Sequence, residues 1–435
     1  MLNACRTRYG TPDIRRRTVA RSQCRRVLAA AVMAVATVAQ AQDMRVLHWW
    51  TSNSERMASG TIAAAARRAG IGWIDEDASD GVGAAIVLRS RLLAHDMPDV
   101  AQANSLASLN WARLGLVRDL DRTADANDWK RRLLPAVYRL IRPAGQVTSA
   151  PLGVHRMNTL LYNRHVFARL GLAPPRTWAD FERIAPLLRR AGIVPLAQSS
   201  ESWQVSVLFE NVLLADGGVA LHKRLFTDDD AQAFSEPAFA QALLHLRRLK
   251  RWMRTTVPEA HWSDIAREVN SGTAAMLVGG DWFKGELLAF GAQVDRTIGC
   301  SPAPGTASIH LYDLDTLVML HSDRVPRAAQ EKIARIAVDP ALQERYNRIK
   351  GSATVLRDAD PALMDSCARA SWTMLADPAA TLVPSIAIGM IGDDVMRDAL
   401  ASELYRFFMD DSVTVQDTQR RLAAVSRAFS HSQNP

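Results

Sequence analysis

Over its 435 residues the chain is 48% hydrophobic and 23% charged, with a formal net charge of +8, a balance that ordinarily points to nucleic acid or an anionic membrane. Eight arginines and one aspartate of that total lie in the first 41 residues, so the remainder holds 45 basic against 44 acidic side chains, a net charge of about +1. That near-neutrality excludes nucleic-acid binding as an expectation, and the 394 residues that remain exceed what one hydrophobic core usually serves, so two domains are expected.

The first element in chain order is a leader. Arg25-Arg26 precede an uncharged, Ala/Val-rich run from Val27 to Ala39 that closes on Ala39-Gln40-Ala41. This reads as a signal peptide (residues 1–41) cleaved after Ala41, which places the mature chain in the periplasm. The arginine pair also admits twin-arginine export. The run is 13 residues long, too short for a permanent span of about 20 residues, and no later stretch reads as long and apolar enough. Cys5 and Cys24 leave with the leader, so Cys300 and Cys367 remain in an oxidising compartment, as a bridge or as two separate buried thiols. Two cysteines without a C-x-x-C spacing make no structural zinc site or redox motif, and neither a metal nor a cofactor is expected.

Met44 to His48 alternates as a first strand, and Ser52 or Ser54 can cap a helix running to Arg68, stopped by Gly70. Val82 to Ala94 reads as a helix, Met97 to Gln102 as a turn into a short buried strand, and Leu106 to Leu114 as a helix. Pro151 to Tyr162 is extended, and Thr177-Trp178-Ala179-Asp180 caps a helix that ends before Gly192. Helical segments are expected from there to about Gly291, with Phe239 to Met253 the clearest amphipathic run. Ile309 to Leu320 returns to strand, Ala328 to Ile349 to helix, and the segment from Pro361 is mostly helical. Strands alternating with helices of this length imply an α/β sheet covered on both faces. No internal repeat, low-complexity region or Gly/Ser linker separates the two lobes, so several short crossings are expected to join them.

A nucleophile elbow, a P-loop, a Rossmann glycine fingerprint and His-Glu-x-x-His are all absent from the sequence, which weakens an enzymatic reading. Two of Glu55, Asp281, Glu286 and Asp315 could still serve a glycoside hydrolase, a chemistry that needs only two carboxylates at the right separation.

Two indoles beside small polar residues, in Leu47-His48-Trp49-Trp50-Thr51-Ser52 followed by Glu55, make poor loop filler and suit a binding rim. Together with Met97-Pro98-Asp99-Val100, Leu161-Tyr162-Asn163 and Leu172-Ala173-Pro174-Pro175-Arg176-Thr177-Trp178, this segment resembles the extracellular solute-binding proteins of family 1 that serve ABC sugar importers. Val154-His155-Arg156-Met157-Asn158, Gly280-Asp281-Trp282-Phe283-Lys284-Gly285-Glu286, Lys350-Gly351-Ser352 and Thr381-Leu382-Val383-Pro384-Ser385 narrow the likeness to the glucose/mannose-binding subgroup, over essentially all of the chain after the leader.

The resemblance implies a two-lobe periplasmic-binding-protein fold (class II, like maltose-binding protein) with a ligand cleft between lobes. One lobe would comprise residues 42–153 plus 314–349, the other 154–313 plus 350–435, with crossings near Val154, Asp313 and Lys350. It implies a monomer that captures a sugar, a glucose-like hexose being favoured, and delivers it to an ABC permease and its ATPase. A receptor for a membrane sensor would use the same closed form. Residue by residue, Trp49, Trp50 and Trp262 resemble aromatic stackers, Glu55 and Asp315 acceptors for sugar hydroxyls, and Lys350 a donor. An indole covers the apolar face of a hexose, and charged groups bond its hydroxyl rim. His155, Asp281 and Trp282 fall near the cleft or hinge, with structural roles as the alternative. The matching contexts of Cys300 and Cys367 favour their pairing as a disulfide. Two positions depart from the pattern: Asn104 stands where relatives place a lysine, and Ile388 where they place a histidine. Both are expected sugar donors, and losing them costs about 2–6 kcal/mol of binding unless replaced.

Overall fold

The computed structural model describes residues 42–78, 81–254, 260–392 and 394–430. The expected leader, with Cys5, Cys24 and the cleavage expected after Ala41, lies outside them. The chain from Asp43 onward forms one body with two sheets.

Among the described residues, ten strands build the sheets: β1 (Gln42–His48), β2 (Ile71–Asp77), β3 (Val100–Ala103), β4 (Ala150–Arg156), β5 (Thr159–Asn163), β6 (Val194–Leu196), β7 (Ala274–Gly279), β8 (Ile298–Pro302), β9 (Ile309–Met319) and β10 (Thr381–Pro384). The first sheet runs β10-β9-β3-β1-β2, with β4 also paired to β9; the second runs β6-β7-β5-β8. Both mix parallel and antiparallel pairs. Helices cover them, giving the two-lobe α/β fold.

Local signals explain most of the elements. Ser52 caps the helix Asn53–Arg68: its hydroxyl accepts from the Glu55 amide, and the Glu55 carboxylate accepts from the Ser52 amide. Gly70, at φ 77°, ends that turn in a conformation that other residues resist. Thr177 and Asp180 form the same reciprocal cap on Trp178–Arg190. The run expected as one helix over 328–349 is two, Arg327–Ala337 and Pro340–Lys350, because Asp339 caps a new start and Pro340 sits in its first turn.

Strands β6, β7 and β10 interrupt stretches that read as helical. β7, Ala-Ala-Met-Leu-Val-Gly, is buried at all six positions, so it lacks the alternation that marks a half-exposed strand. β10 is only four residues long and joins the first sheet beside Ile309–Tyr312. A further correction concerns the helix Ser202–Phe226, which is 25 residues long and apolar enough by composition to cross a membrane. It packs as a core helix, with Glu210, Asn211 and His222 buried along it and a break at Gly218.

Each lobe has its own core. Met44, Val46, Ile62, Leu134, Leu317 and Ile333 belong to the first, and Leu160, Phe181, Phe209 and Leu246 to the second. Residues 353–375, assigned from the sequence to the second lobe, contribute Ala353, Val355, Leu356 and Leu375 to the first core. The physical reason is backbone pairing: the Leu134 amide donates to the Val355 carbonyl, and the Arg357 amide to the Arg132 carbonyl.

The expected crossing residues meet in space. β4 and β9 run antiparallel side by side, pairing Val154 with Leu314 and His155 with Asp313. Lys350 ends its helix beside them, where Gly351 turns at φ 95° and Ala353 bridges to Val154. Cys300 on β8 is bonded to Cys367 on the helix Ser366–Ala376, a loop closure of 67 residues. That helix also carries Leu375, so the disulfide ties the second sheet to a helix of the first core.

Candidate functional site

Between the lobes lies a cavity of about 460 Å³, within the range usual for small-molecule sites. The end of β1, the start of the helix Ser105–Arg113, β4, β9 and the end of Pro340–Lys350 supply one side; the helices beginning at Ser202, Trp262 and Trp282 supply much of the other. An open depression of about 590 Å³ adjoins it, sharing Glu201, Ser202 and His261 and extending to Ser402 and Tyr405.

Five indoles line the cavity: Trp49, Trp111, Trp203, Trp262 and Trp282. Edge contacts hold them in place. The Trp262 ring meets Phe283 at 5.3 Å, and Trp282 meets His155 at 5.4 Å. Trp50 is a correction to the expected set of stackers. It is 0% exposed and belongs to the first core, stacked on His48 at 5.0 Å and edge-on to Tyr346 at 6.2 Å. Successive residues of an extended segment point to opposite sides, so Trp49 on the cavity sends Trp50 inward.

The floor is a charged network. Lys350 Nζ lies 2.9 Å from Glu55 Oε1, and Glu55 Oε2 accepts from the Thr51 and Ser52 amides. Gln102 donates to Asp315 Oδ1 at 3.0 Å. His155 stands between two carboxylates, with Nδ1 2.5 Å from Asp281 and Nε2 3.4 Å from Asp315. Burial alone would discharge this imidazole, but the charge and hydrogen bond of Asp281, helped by Asp315, hold its pKa at about 9. Against the same burial, the His155 hydrogen bond and the Lys350 charge hold Asp315 at about 2. Burial and the neighbouring Asp315 charge push Asp313 up to about 7. Charged, hydrogen-bonded groups fixed in a recess can receive several hydroxyls at once.

Of the residues expected from the sequence, Trp49, Glu55, Trp262, Asp315 and Lys350 line the cavity, as do Asn104, His155, Trp282 and Ile388. Asp281 does not; it lies behind His155, where it also accepts from the Arg156 amide at 3.1 Å. Glu286 is buried away from the cavity, accepting from the Ser54 amide at 3.0 Å. Reasoning from sequence missed Gln102, Trp111, Glu201, Trp203, His261, Arg397 and Asp398, and named Asp313 only as a crossing. The alternation of β9 carried the one usable signal, since Asp313 and Asp315 must share a face of that strand.

The family model described as bacterial extracellular solute-binding protein matches residues 62–308. Among curated proteins, a probable sugar-binding periplasmic protein of Brucella suis is 27% identical over 407 residues, covering 92% of this chain and 96% of that one. Among solved structures, the bacterial solute receptor AcbH superposes with a TM-score of 0.77 at 14% identity, covering 89% of this chain and 99% of the receptor. The receptor RafE in complex with raffinose gives 0.71 at 15% identity, covering 88% and 99%. At those identities the likeness shows the fold alone. With more than half of its length matched by the family model, and a cleft lined by indoles and charged groups, the chain belongs to the bacterial extracellular solute-binding protein family.

Proposed function

We propose that this protein is the periplasmic sugar-binding component of an ABC importer, which captures a glucose-like hexose between its lobes and presents it, as a monomer, to a membrane permease and its ATPase. The observation that carries the reading is the cavity itself: five indoles around a floor formed by Glu55, Gln102, Asp315 and Lys350. Indole faces cover sugar C–H groups, and the floor pairs hydroxyls with charged partners. The relative named above as sugar-binding and periplasmic supports the location and the ligand class. The structural neighbours supply a range of ligand sizes, from β-D-galactopyranose, named for AcbH, to raffinose, bound to RafE. A cavity of about 460 Å³ suits the small end of that range.

In this reading Trp49 and Trp262 stack on the ring, Glu55, Asp315 and Lys350 bond its hydroxyls, and the crossings at Val154, Asp313 and Lys350 form the hinge. Closure about such a hinge is a recurrent domain motion, and the closed form is what a permease, or equally a membrane sensor, can recognise.

A thermal-shift panel of glucose, galactose, mannose, xylose, deoxy-sugars and disaccharides tests the reading. Ligand at about 100 times its dissociation constant stabilises by about 2.7 kcal/mol. The expected outcome is a raised midpoint with at least one hexose, lost in Trp262→Ala. A panel in which no sugar shifts the midpoint would overturn it.

A further inference from the structure

Asp313 is the residue that the floor network leaves incomplete. It is 5% exposed, lines the cavity, and its Oδ1 is buried without a hydrogen-bonding partner. A buried carboxylate oxygen in that state has lost water and gained nothing in return.

Three of the basic side chains that line the cavity, Lys350, His155 and Arg397, are already matched. Lys350 faces Glu55 at 2.9 Å, His155 lies between Asp281 and Asp315, and Arg397 is 3.1 Å from Asp398. Asp313 lines the same cavity and takes part in no ion pair among the described residues, whereas Glu201, which also lines it, accepts from Ser199 and Gln204 and feels the charge of His261. Acidic groups are therefore in excess at this surface. The strain shows on both: burial raises the Glu201 carboxyl, and burial with the Asp315 charge raises that of Asp313. A cation carried in by the ligand would relieve the repulsion and supply the missing donor, in surroundings of low dielectric where the attraction is strong.

We propose that the cavity selects a sugar bearing an ammonium group, an amino-deoxy hexose, and that Asp313 receives the ammonium. The proposal rests on the reading of the cleft as a sugar site, and adds the charge of the substrate and the residue that selects it. An ammonium brings three donors to a place where a hydroxyl brings one, and its bonds to carboxylates are charge-assisted. The five indoles still cover the rest of the ring.

Calorimetric titration of the exported, processed protein at pH 7 tests this. The probes are glucosamine, galactosamine, mannosamine and 6-amino-6-deoxyglucose, each against its neutral parent, glucose, galactose or mannose, with wild type and Asp313→Asn compared. At least one amino sugar is expected to bind about tenfold more tightly than its neutral parent, and Asp313→Asn to bring that ratio close to one. If every neutral parent binds as tightly as its amino derivative, or if the ratio survives Asp313→Asn, the ammonium proposal falls while the sugar reading stands. If no sugar of either kind binds, the sugar reading falls and takes this proposal with it. Should the variant fail to fold, the wild-type ratio alone decides.

Discussion

The side-chain amide of Asn104 donates to the carbonyl oxygen of Ile388 across 2.7 Å, joining the cap of the helix Ser105–Arg113 to the loop that follows β10. Both residues line the cavity. The two positions where the sequence departs from the family pattern thus bond to each other, which ties up one N–H of the Asn104 amide, with the Arg397 guanidinium beside it. Ile388→His should restore a donor there and tighten the binding of a hexose that carries a hydroxyl on that side by about tenfold. Calorimetry on the variant checks this, and an unchanged or weaker affinity contradicts it.

Trp50 acts through the core and not through the ligand. Trp50→Phe removes part of a fully buried ring packed against His48 and Tyr346, so stability should fall by about 1–3 kcal/mol. Sugar affinity should move less than in Trp262→Ala, whose ring lines the cavity. Parallel denaturant melts and titrations of both variants separate the roles. A Trp50→Phe protein that keeps its stability and loses its ligand would reverse them.

His155 gives stability a dependence on alkaline pH. Its folded pKa, about 9, stands above the ordinary 6.5, so its contribution is full below pH 6.5 and is lost as pH rises through 9. The decline should amount to a few kcal/mol, since each tenfold gain in proton affinity on folding is worth about 1.4 kcal/mol. Asp315 acts oppositely: held at about 2, it contributes above pH 3.8 and loses that contribution as pH falls toward 2. Urea melts across pH 6 to 10 should show the alkaline decline in wild type and a flatter profile in His155→Gln. Parallel profiles would show that the imidazole is not its source.

The disulfide Cys300–Cys367 closes a 67-residue loop, for which chain-entropy reasoning gives about 4 kcal/mol. The double variant Cys300→Ala/Cys367→Ala should lose about 2–4 kcal/mol in an equilibrium melt. Because the bridge links β8 to a helix bearing Leu375 of the first core, removing it should also loosen the junction between lobes. Faster amide exchange in β8 and in Ser366–Ala376 would show this, and unchanged exchange with unchanged stability would contradict it.

Much of this architecture is legible in the amino-acid sequence. Ser52 with Glu55, and Thr177 with Asp180, mark helix starts through chemistry that acts within four residues, and β1 and β9 announce themselves by composition. β7 is hidden because burial on both faces erases alternation, and the place of residues 353–375 in the first core is hidden because the pairing of Val355 with Leu134 is a long-range event. The cavity is legible in part for the same reason. Motif residues such as Trp49, Glu55 and Lys350 carry local signatures, whereas Trp111, Trp203 and Arg397 reach it through the packing of helices that no short window reveals.

Tryptophan emission measured during titration of the processed protein with hexoses is the most direct test of capture between the lobes, since five indoles line the cavity. We expect a saturable change with at least one hexose or amino-hexose, its loss in Trp262→Ala, and recovery of the sugar chemically unchanged. A folded protein whose emission no sugar alters, or one that returns a cleaved product, would contradict sugar capture.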